Sequence, residues 1–128
     1  MIRAIHSDKA PAAVGPYSQA ITNGKAVFLS GQLPIKDGVL ETEIRQATRN
    51  CIENAKAILE EAGLSLSNVM KTTVFLKDIA DFAAMNEVYG EYFSEHKPAR
   101  SAFQVAALPL GAVVEIEFIA DASQAVDF

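Results

Sequence analysis

Cysteine and long apolar runs are both scarce in this sequence. The single cysteine, Cys51, excludes an internal disulfide bond and fits a reducing compartment. The apolar runs are short and broken by charges, which excludes a transmembrane helix. The N-terminal stretch MIRAIHSDKAPAAVGPYS has charges and two prolines where a signal peptide needs an apolar segment. We therefore expect a cytoplasmic protein without a membrane partner.

Positive charge is also in short supply. The chain has 11 lysine and arginine residues against 16 aspartate and glutamate residues, which gives a formal net charge of −5. Nucleic-acid affinity comes largely from cationic side chains that neutralise phosphates. The acidic balance therefore argues against DNA or RNA as the main partner.

The familiar catalytic motifs are missing as well. The sequence contains no CxxC, HExxH, GxGxxG, Walker or GxSxG motif. His6, in an N-terminal segment that we expect to be loose, and His96 are the only histidines, too far apart in sequence to indicate a metal site. Cys51 falls on the apolar side of a predicted helix and is interpreted as a buried thiol. If the protein is an enzyme, we expect it to use no metal and no cofactor and to act on a substrate that is already reactive.

Apolar residues are plentiful enough to build one core. Half of the 128 residues are hydrophobic, which predicts a single domain over residues 1–128. Residue periodicity and an Asp37-Gly38 turn signal then predict the following elements. In order, these are a strand over 26–34 followed by a hairpin, a helix over 44–62 that Gly63 ends, a strand over 69–77, a helix over 82–93, and strands over 99–107 and 112–122. This order indicates an α+β fold with two helices on one face of a mixed sheet.

The last predicted strand has two very different sides. Its apolar side suits the helices and consists of Val114, Ile116, Phe118 and Ala120. On the other side, Glu115 and Glu117 alternate with branched apolar residues. A sheet face that mixes apolar residues with carboxylates indicates burial against another copy of the chain, with the charges in a cleft at the seam.

Arg100 is conspicuous in the stretch KPARSAFQV. We expect Ser101 and Phe103 to face the core, which leaves Arg100 and Ala102 on the opposite side of this strand. One interpretation of Arg100 is a salt bridge to a carboxylate of the last strand. The other is a bidentate clamp on a small carboxylate ligand, which a guanidinium suits better than an ammonium group. Glu115 and Glu117 lie on the same side of the last strand, so strand alternation does not decide which of them would position a water or accept its proton.

Other residues are weaker candidates for lining a ligand site. Tyr17 follows the turn sequence VGP, where a phenol can present its hydroxyl or can be an ordinary turn aromatic. Ser30 and Gly31 close the first core strand, and a glycine there lets a ligand approach the backbone. Asn86 and Phe82 lie on the second predicted helix. Each either lines the ligand site or has an ordinary role, Asn86 as a solvated amide and Phe82 as a core aromatic.

Four long stretches of the sequence resemble one known family. The stretches APAAVGPYSQAI, VFLSGQLP, KTTVFLKDIADFAAMNEVYGEYF and KPARSAFQVAALPLGAVVEIEFIA are similar to the RidA (YjgF-like) reactive-intermediate deaminases. The resemblance covers about residues 4–122. It implies a chorismate-mutase-like α+β fold, assembled as a homotrimer with three clefts between subunits.

The resemblance also implies an activity and a role for individual residues. The activity is hydrolysis of 2-aminoacrylate, 2-iminopropanoate and 2-iminobutanoate to 2-oxo acids and ammonia. Arg100 would bind the substrate carboxylate with help from the backbone amide of Ala102, and Glu115 would orient the attacking water. The implied cleft-lining residues are Tyr17, Ser30, Gly31, Phe82 and Asn86.

One position departs from the family pattern, and two other functions stay open. Many members have a cysteine where this chain has Ala102, so a mechanism that needs a thiolate there is excluded. Imine hydrolysis needs no thiolate, because a protonated C=N carbon is already electrophilic. The first alternative is an endoribonuclease or translation inhibitor that uses His96, Lys97 and Arg100. The second is a non-catalytic regulatory trimer that binds a 2-oxo acid through Arg100.

Overall fold

The chain is built on a six-stranded mixed sheet in a computed structural model that describes residues 1–123. Residues 124–128 of the domain predicted over 1–128 lie outside the described part. The elements are β1 (Arg3–Ile5), β2 (Ala20–Thr22), β3 (Ala26–Gln32), β4 (Ile35–Lys36), β5 (Val39–Leu40), α1 (Ile44–Glu61), β6 (Val69–Leu76), α2 (Phe82–Tyr92), β7 (Ala99–Gln104) and β8 (Val114–Asp121). The sheet order is β1-β2-β3-β8-β6-β7, in which β6 and β7 are parallel and the other described pairs are antiparallel.

Both helices pack on the same face of the sheet, as predicted. The chain runs from β3 through α1 to β6, and then from β6 through α2 to β7. These three strands point the same way, because β8 is antiparallel to both β3 and β6. Two right-handed crossovers that step in the same direction along a sheet place their helices on one side. Exposed ion pairs of Arg45 with Glu87 (3.0 Å) and Arg49 with Glu91 (2.7 Å) link the two helices.

Helix α1 confirms the predicted apolar stripe. At its N-terminus the Glu43 carboxylate accepts hydrogen bonds from the backbone N–H groups of Arg45 (2.9 Å) and Gln46 (3.0 Å), which lowers the pKa of Glu43. After its C-terminus Gly63 adopts a φ of 72°, the left-handed conformation that ends many helices. The core members of the stripe are Ala47, Cys51, Ile52, Ala55, Ile58, Leu59 and Ala62.

The predicted Asp37-Gly38 hairpin is confirmed between β4 and β5. Asp37 and Gly38 both have positive φ, 52° and 77°, as a two-residue turn between antiparallel strands requires. Asn54 of α1 fixes the base of the hairpin, since its side-chain amide donates to the carbonyls of Leu33 (3.1 Å) and Ile35 (3.0 Å). The hairpin is therefore held against the helix.

The prediction for the two sides of β7 was wrong. Arg100 and Ala102 pair with Thr72 and Val74 of β6, whose side chains are buried under the helices. Phe103 lies on the opposite face and is 44% exposed. The side of β7 that carries Arg100 therefore faces helix α2, and the other side faces away from both helices. The prediction placed Phe103 in the core because it is the most apolar residue of the strand, but the pairing with β6 puts its ring on the other face.

The start of β6 also departs from the predicted alternation. Val69 pairs with Ala120, but the next pair joins Lys71 to Ile119, so Met70 is an extra residue in the strand. This bulge buries Val69 completely and leaves Met70 47% exposed, whereas strict alternation would place Met70 on the same side as the buried Thr72 and Val74. From Thr72 onward the predicted alternation holds.

The N-terminal segment is more ordered than predicted, because two short strands were missed. Ile5, at the end of β1, is buried in the core. The buried Gln19 side chain accepts a hydrogen bond from the Ser7 N–H (2.7 Å) and donates to the Ser7 carbonyl (3.1 Å). It also donates to the Pro11 carbonyl (2.9 Å), so one amide anchors the loop that leads to Tyr17. Strands of three residues are too short to show a period in sequence.

Candidate active site

Arg100 lies against one face of helix α2. One terminal nitrogen of its guanidinium donates a hydrogen bond of 2.6 Å to the Asn86 side-chain oxygen. Its central carbon lies 4.7 Å from the ring centroid of Tyr89 and 5.5 Å from that of Phe82. Phe82, Asn86 and Tyr89 are spaced i, i+4 and i+7 along α2, so they form a single stripe toward β7. All three groups are neutral, and they position the guanidinium without cancelling its charge.

The alternative interpretation of Arg100, an ion pair with the last strand, is not realised within the chain. The ion pairs among residues 1–123 join Arg45 to Glu87 and Arg49 to Glu91, and the His6 ring lies beside Asp8. Both carboxylates of β8 lie on the face of the sheet that points away from the helices. A guanidinium on the helix side therefore has no direct path to them.

Glu115 is the half-buried carboxylate of that second face. Burial raises the pKa of Glu115, and the nearby negative charge of Glu117 raises it further. A Cβ atom built on Gly31 would stand 2.8 Å from the Glu115 carboxyl carbon, closer than atoms can pack. Gly31 therefore leaves the space that the Glu115 carboxylate occupies, which is a more specific role than the ligand approach expected from sequence.

A bulge in β3 brings Ser30 and Gly31 to this position. The pairing of β3 with β8 shifts between Leu29 and Gln32, which leaves the two intervening residues outside the ladder. The Ser30 hydroxyl donates to the Ser18 carbonyl (2.6 Å), and the Ser30 N–H donates to the Gln19 carbonyl (2.9 Å). These bonds attach the bulge to the loop that carries the exposed Tyr17.

Tyr17 and Gly31 both line an open groove of about 930 Å³ beside helix α1. Its walls come from the N-terminal loop, the β4–β5 hairpin and the outer side of α1. Neither Arg100 nor Glu115 lines this groove. This groove is therefore not where the two charged candidates lie.

The sequence-predicted site residues fall into two groups within one chain. The helix-side group consists of Phe82, Asn86, Arg100 and Ala102. The bulge-side group consists of Tyr17, Ser30, Gly31 and Glu115. Strand β6 separates β7 from β8, so the strands of Arg100 and Glu115 are about 10 Å apart and their side chains leave opposite faces. One chain alone does not bring both charges onto one small molecule.

Two residues near Arg100 were missed as functional candidates. The sequence indicates Tyr89 only as part of the apolar side of the second helix and Thr72 only as a strand residue. In the structure both are buried, and their hydroxyl groups form a hydrogen bond of 2.7 Å. Burial raises the pKa of Tyr89, so the phenol stays protonated at neutral pH. The sequence feature that could have identified Tyr89 is its helical spacing from Phe82 and Asn86, which places all three on one side of α2.

The remaining reactive side chains lie apart from both groups. Cys51 is fully buried on α1, and burial raises the pKa of its thiol well above the ordinary value, so it is a poor nucleophile. The His96 ring is within 2.6 Å of the Val69 carbonyl, and His6 lies beside Asp8 near the N-terminus. Within residues 1–123 no three histidine, cysteine or acidic side chains gather into a metal-binding cluster. Nor does that part of the chain contain a helix long and apolar enough to cross a membrane.

Proteins with similar sequences and structures are known. A 2-iminobutanoate/2-iminopropanoate deaminase of Salmonella typhimurium is 45% identical over 125 residues, which cover 94% of this chain and 98% of the relative. A RutC family protein of Pyrococcus abyssi is 53% identical over 119 residues, 91% of this chain and 94% of the relative. The crystal structure of Escherichia coli TdcF with bound serine superposes with a TM-score of 0.89 at 44% identity, covering 93% of this chain and 98% of TdcF.

The match to a family extends over almost all of the described residues. Residues 7–122 fit the family described as endoribonuclease L-PSP. The same span contains all four stretches that resemble the RidA family, from APAAVGPYSQAI to the last strand. The chain therefore belongs to the endoribonuclease L-PSP family, which is also known as the YjgF/RidA family.

Proposed function

We propose that this protein is a 2-iminobutanoate/2-iminopropanoate deaminase that hydrolyses reactive 2-imino acids to 2-oxo acids and ammonia. The observation that carries the proposal is the state of Arg100, a guanidinium held in place by an amide oxygen and two aromatic rings, none of them charged. A positive charge that is positioned but not neutralised is suited to a carboxylate ligand. The deaminase relatives at 43–45% identity support the same substrate class.

The chemistry requires only placement and proton transfer. Arg100 binds the substrate carboxylate bidentately, and the backbone amide of Ala102, on the same edge strand, adds a hydrogen bond. Glu115 takes a proton from a water molecule as the water oxygen adds to the C=N carbon. The resulting carbinolamine expels ammonia after its nitrogen is protonated, and the 2-oxo acid remains. The uncatalysed reaction is already fast, so only a modest acceleration is needed. Orienting the substrate and the water relative to each other can supply it.

The active cleft lies between copies of the chain in this proposal. Arg100 and Glu115 leave opposite faces of one sheet, so a second copy must bring its bulge-side group to the helix-side group of the first. The open face of the sheet, which we define by Phe28, Phe75, Phe103, Glu115 and Ile119, suits such an interface. Phe28 is 54% exposed and Phe103 is 44% exposed in the isolated chain. We infer a homotrimer in which each of three seams forms one complete cleft.

The proposal is tested by generating the imine next to the purified protein. A dehydratase that acts on L-serine releases 2-aminoacrylate, and semicarbazide traps the imine that is not hydrolysed. We expect wild-type protein to suppress semicarbazone formation and to speed the appearance of pyruvate. Arg100→Lys keeps the charge but loses the bidentate fork, so kcat/KM should fall about 10- to 100-fold, mainly through KM.

Two results would overturn the deaminase proposal. The first is a wild-type rate no faster than that of the protein-free blank. In that case, tight binding of 2-oxobutanoate without turnover would favour the regulatory trimer. The second is RNA cleavage that Arg100→Lys abolishes while imine hydrolysis is absent, which would favour the ribonuclease activity in the family description.

A further inference from the structure

We propose that Tyr89, anchored by Thr72, is the positioning residue that presents Arg100 to the substrate carboxylate. The inference rests on the proposed function, because it assigns Arg100 a carboxylate ligand. It adds a buried residue pair that touches neither the water nor the reacting carbon.

The Tyr89 ring is fixed at both of its ends. Its Cβ end belongs to α2, and its hydroxyl end forms the 2.7 Å hydrogen bond with the Thr72 side chain on β6. Thr72 is fully buried and is the register partner of Arg100 across the β6–β7 pair. The ring therefore spans from the helix to the strand beside Arg100. A tyrosine that is pinned in this way has little freedom to swing its face.

The pinned face lies next to the guanidinium. The central carbon of the Arg100 guanidinium is 4.7 Å from the Tyr89 centroid, inside the range of a cation–π interaction, and farther from Phe82 at 5.5 Å. Asn86 holds one terminal nitrogen at 2.6 Å. The ring restrains the plane of the guanidinium, and the amide restrains its rotation within that plane. Together they fix the direction in which the planar fork of donors can meet a carboxylate.

Neutrality of the support is essential to this role. An ionised phenolate under the guanidinium would compete with the substrate for the charge. Burial raises the pKa of Tyr89, which keeps the phenol in its neutral, hydrogen-bonded form at physiological pH. Asn86 is neutral at every pH. The pocket thus restrains Arg100 while leaving its charge for the ligand.

The test separates the aromatic face from general packing. Tyr89→Leu removes the ring beneath the guanidinium, and Tyr89→Phe keeps the ring but loses the anchor. Phe93→Leu is the matched control. Phe93 is a buried aromatic whose ring centroid lies 4.8 Å from that of Tyr89, and in the described part of the chain its ring makes no contact with the guanidinium. Each variant is compared with wild type by calorimetric titration with 2-oxobutanoate, by imine turnover and by thermal melting.

We expect Tyr89→Leu to raise the Kd for 2-oxobutanoate and the KM for the imine about tenfold, with kcat within about threefold of wild type. Tyr89→Phe loses the hydrogen bond to Thr72, so its Kd should rise about threefold, whereas Phe93→Leu should lower the melting temperature without changing Kd. Equal losses of affinity in Tyr89→Leu and Phe93→Leu would overturn the proposal. So would a Tyr89→Leu protein that binds normally, or a Tyr89→Phe protein that loses kcat.

Failure of the proposed function gives a different pattern. If wild type binds 2-oxobutanoate without turning over imines and Tyr89→Leu weakens that binding, the positioning role stands and the deaminase proposal fails. If wild type binds no 2-oxo acid at all, both proposals fail. If Tyr89→Leu does not fold, Thr72→Val is used instead, which loosens the ring and should raise Kd about threefold, and unchanged affinity in it would overturn the proposal.

Discussion

At the scale of single residues, Arg100 and Glu115 lie in opposite electrostatic environments. Asn86 and Tyr89, which hold the Arg100 guanidinium, carry no charge that would compete with a ligand. Glu115 is half-buried beside another carboxylate, which favours its protonated form and makes it a stronger base when it is ionised. A carboxylate with a raised pKa is suited to take a proton from water and return it within one turnover.

Glu115 therefore predicts the direction of the pH dependence. Only the ionised carboxylate can accept the proton of water, so kcat should fall as the pH drops through the raised pKa of Glu115, above the value of about 4.3 for an ordinary glutamate. Because kcat describes the enzyme–substrate complex, its acid limb reports Glu115 in that complex. Glu115→Gln should remove this limb and lower kcat about 100- to 10,000-fold.

Glu117→Gln is the matched control for that prediction. Glu117 raises the pKa of Glu115 through its negative charge, so its removal should shift the acid limb of kcat to lower pH. The turnover at neutral pH should stay close to that of wild type. An acid limb that is identical in Glu117→Gln and wild type would contradict the assignment of the limb to Glu115.

At the scale of elements, the β3 bulge links a backbone irregularity to the carboxylate. Gly31→Ala would place a methyl group 2.8 Å from the Glu115 carboxyl carbon, and the end of a flexible side chain moves aside at little cost to folding. We expect a kcat at least tenfold lower with a melting temperature within a few degrees of wild type. Gly90→Ala, on the exposed side of α2 with no atom within 4 Å of the new Cβ, should instead stabilise by about 1 kcal/mol with unchanged kcat.

The sequence predicts best the elements that have a long regular pattern of apolar residues or a specific turn signal. Helix α1 and the predicted hairpin follow from an apolar stripe and from a turn that needs positive φ at Asp37 and Gly38. The sides of β7 do not follow, because the apolar Phe103 indicates a core position but lies on the face away from the helices. Residue types at the site point to carboxylate chemistry, but the separation of Arg100 from Glu115 depends on strand order, which no local pattern encodes.

At the scale of the whole molecule, the open face carries the prediction about assembly. Phe103→Asp introduces a charge on this face beside the ring of Phe75, with which Phe103 makes an edge-to-face contact at 5.4 Å. We expect the substitution to convert the proposed homotrimer to monomers and to abolish imine turnover, as measured by light scattering and the trapping assay. Val39→Asp is the control, because Val39 is 67% exposed on the β4–β5 hairpin and lies outside the open face. A wild-type monomer with full activity would contradict the inferred seam.

In the proposed assembly, the position of the two charges on opposite faces of one sheet has a genetic consequence. Trimers built only of subunits without Arg100, or only of subunits without Glu115, would be inactive, but each kind of subunit keeps the residue that the other lacks. Refolded together, the two defective chains would regenerate intact catalytic pairs at roughly a quarter of their junctions by random assortment. Two dead alleles in one cell would thus partly rescue each other.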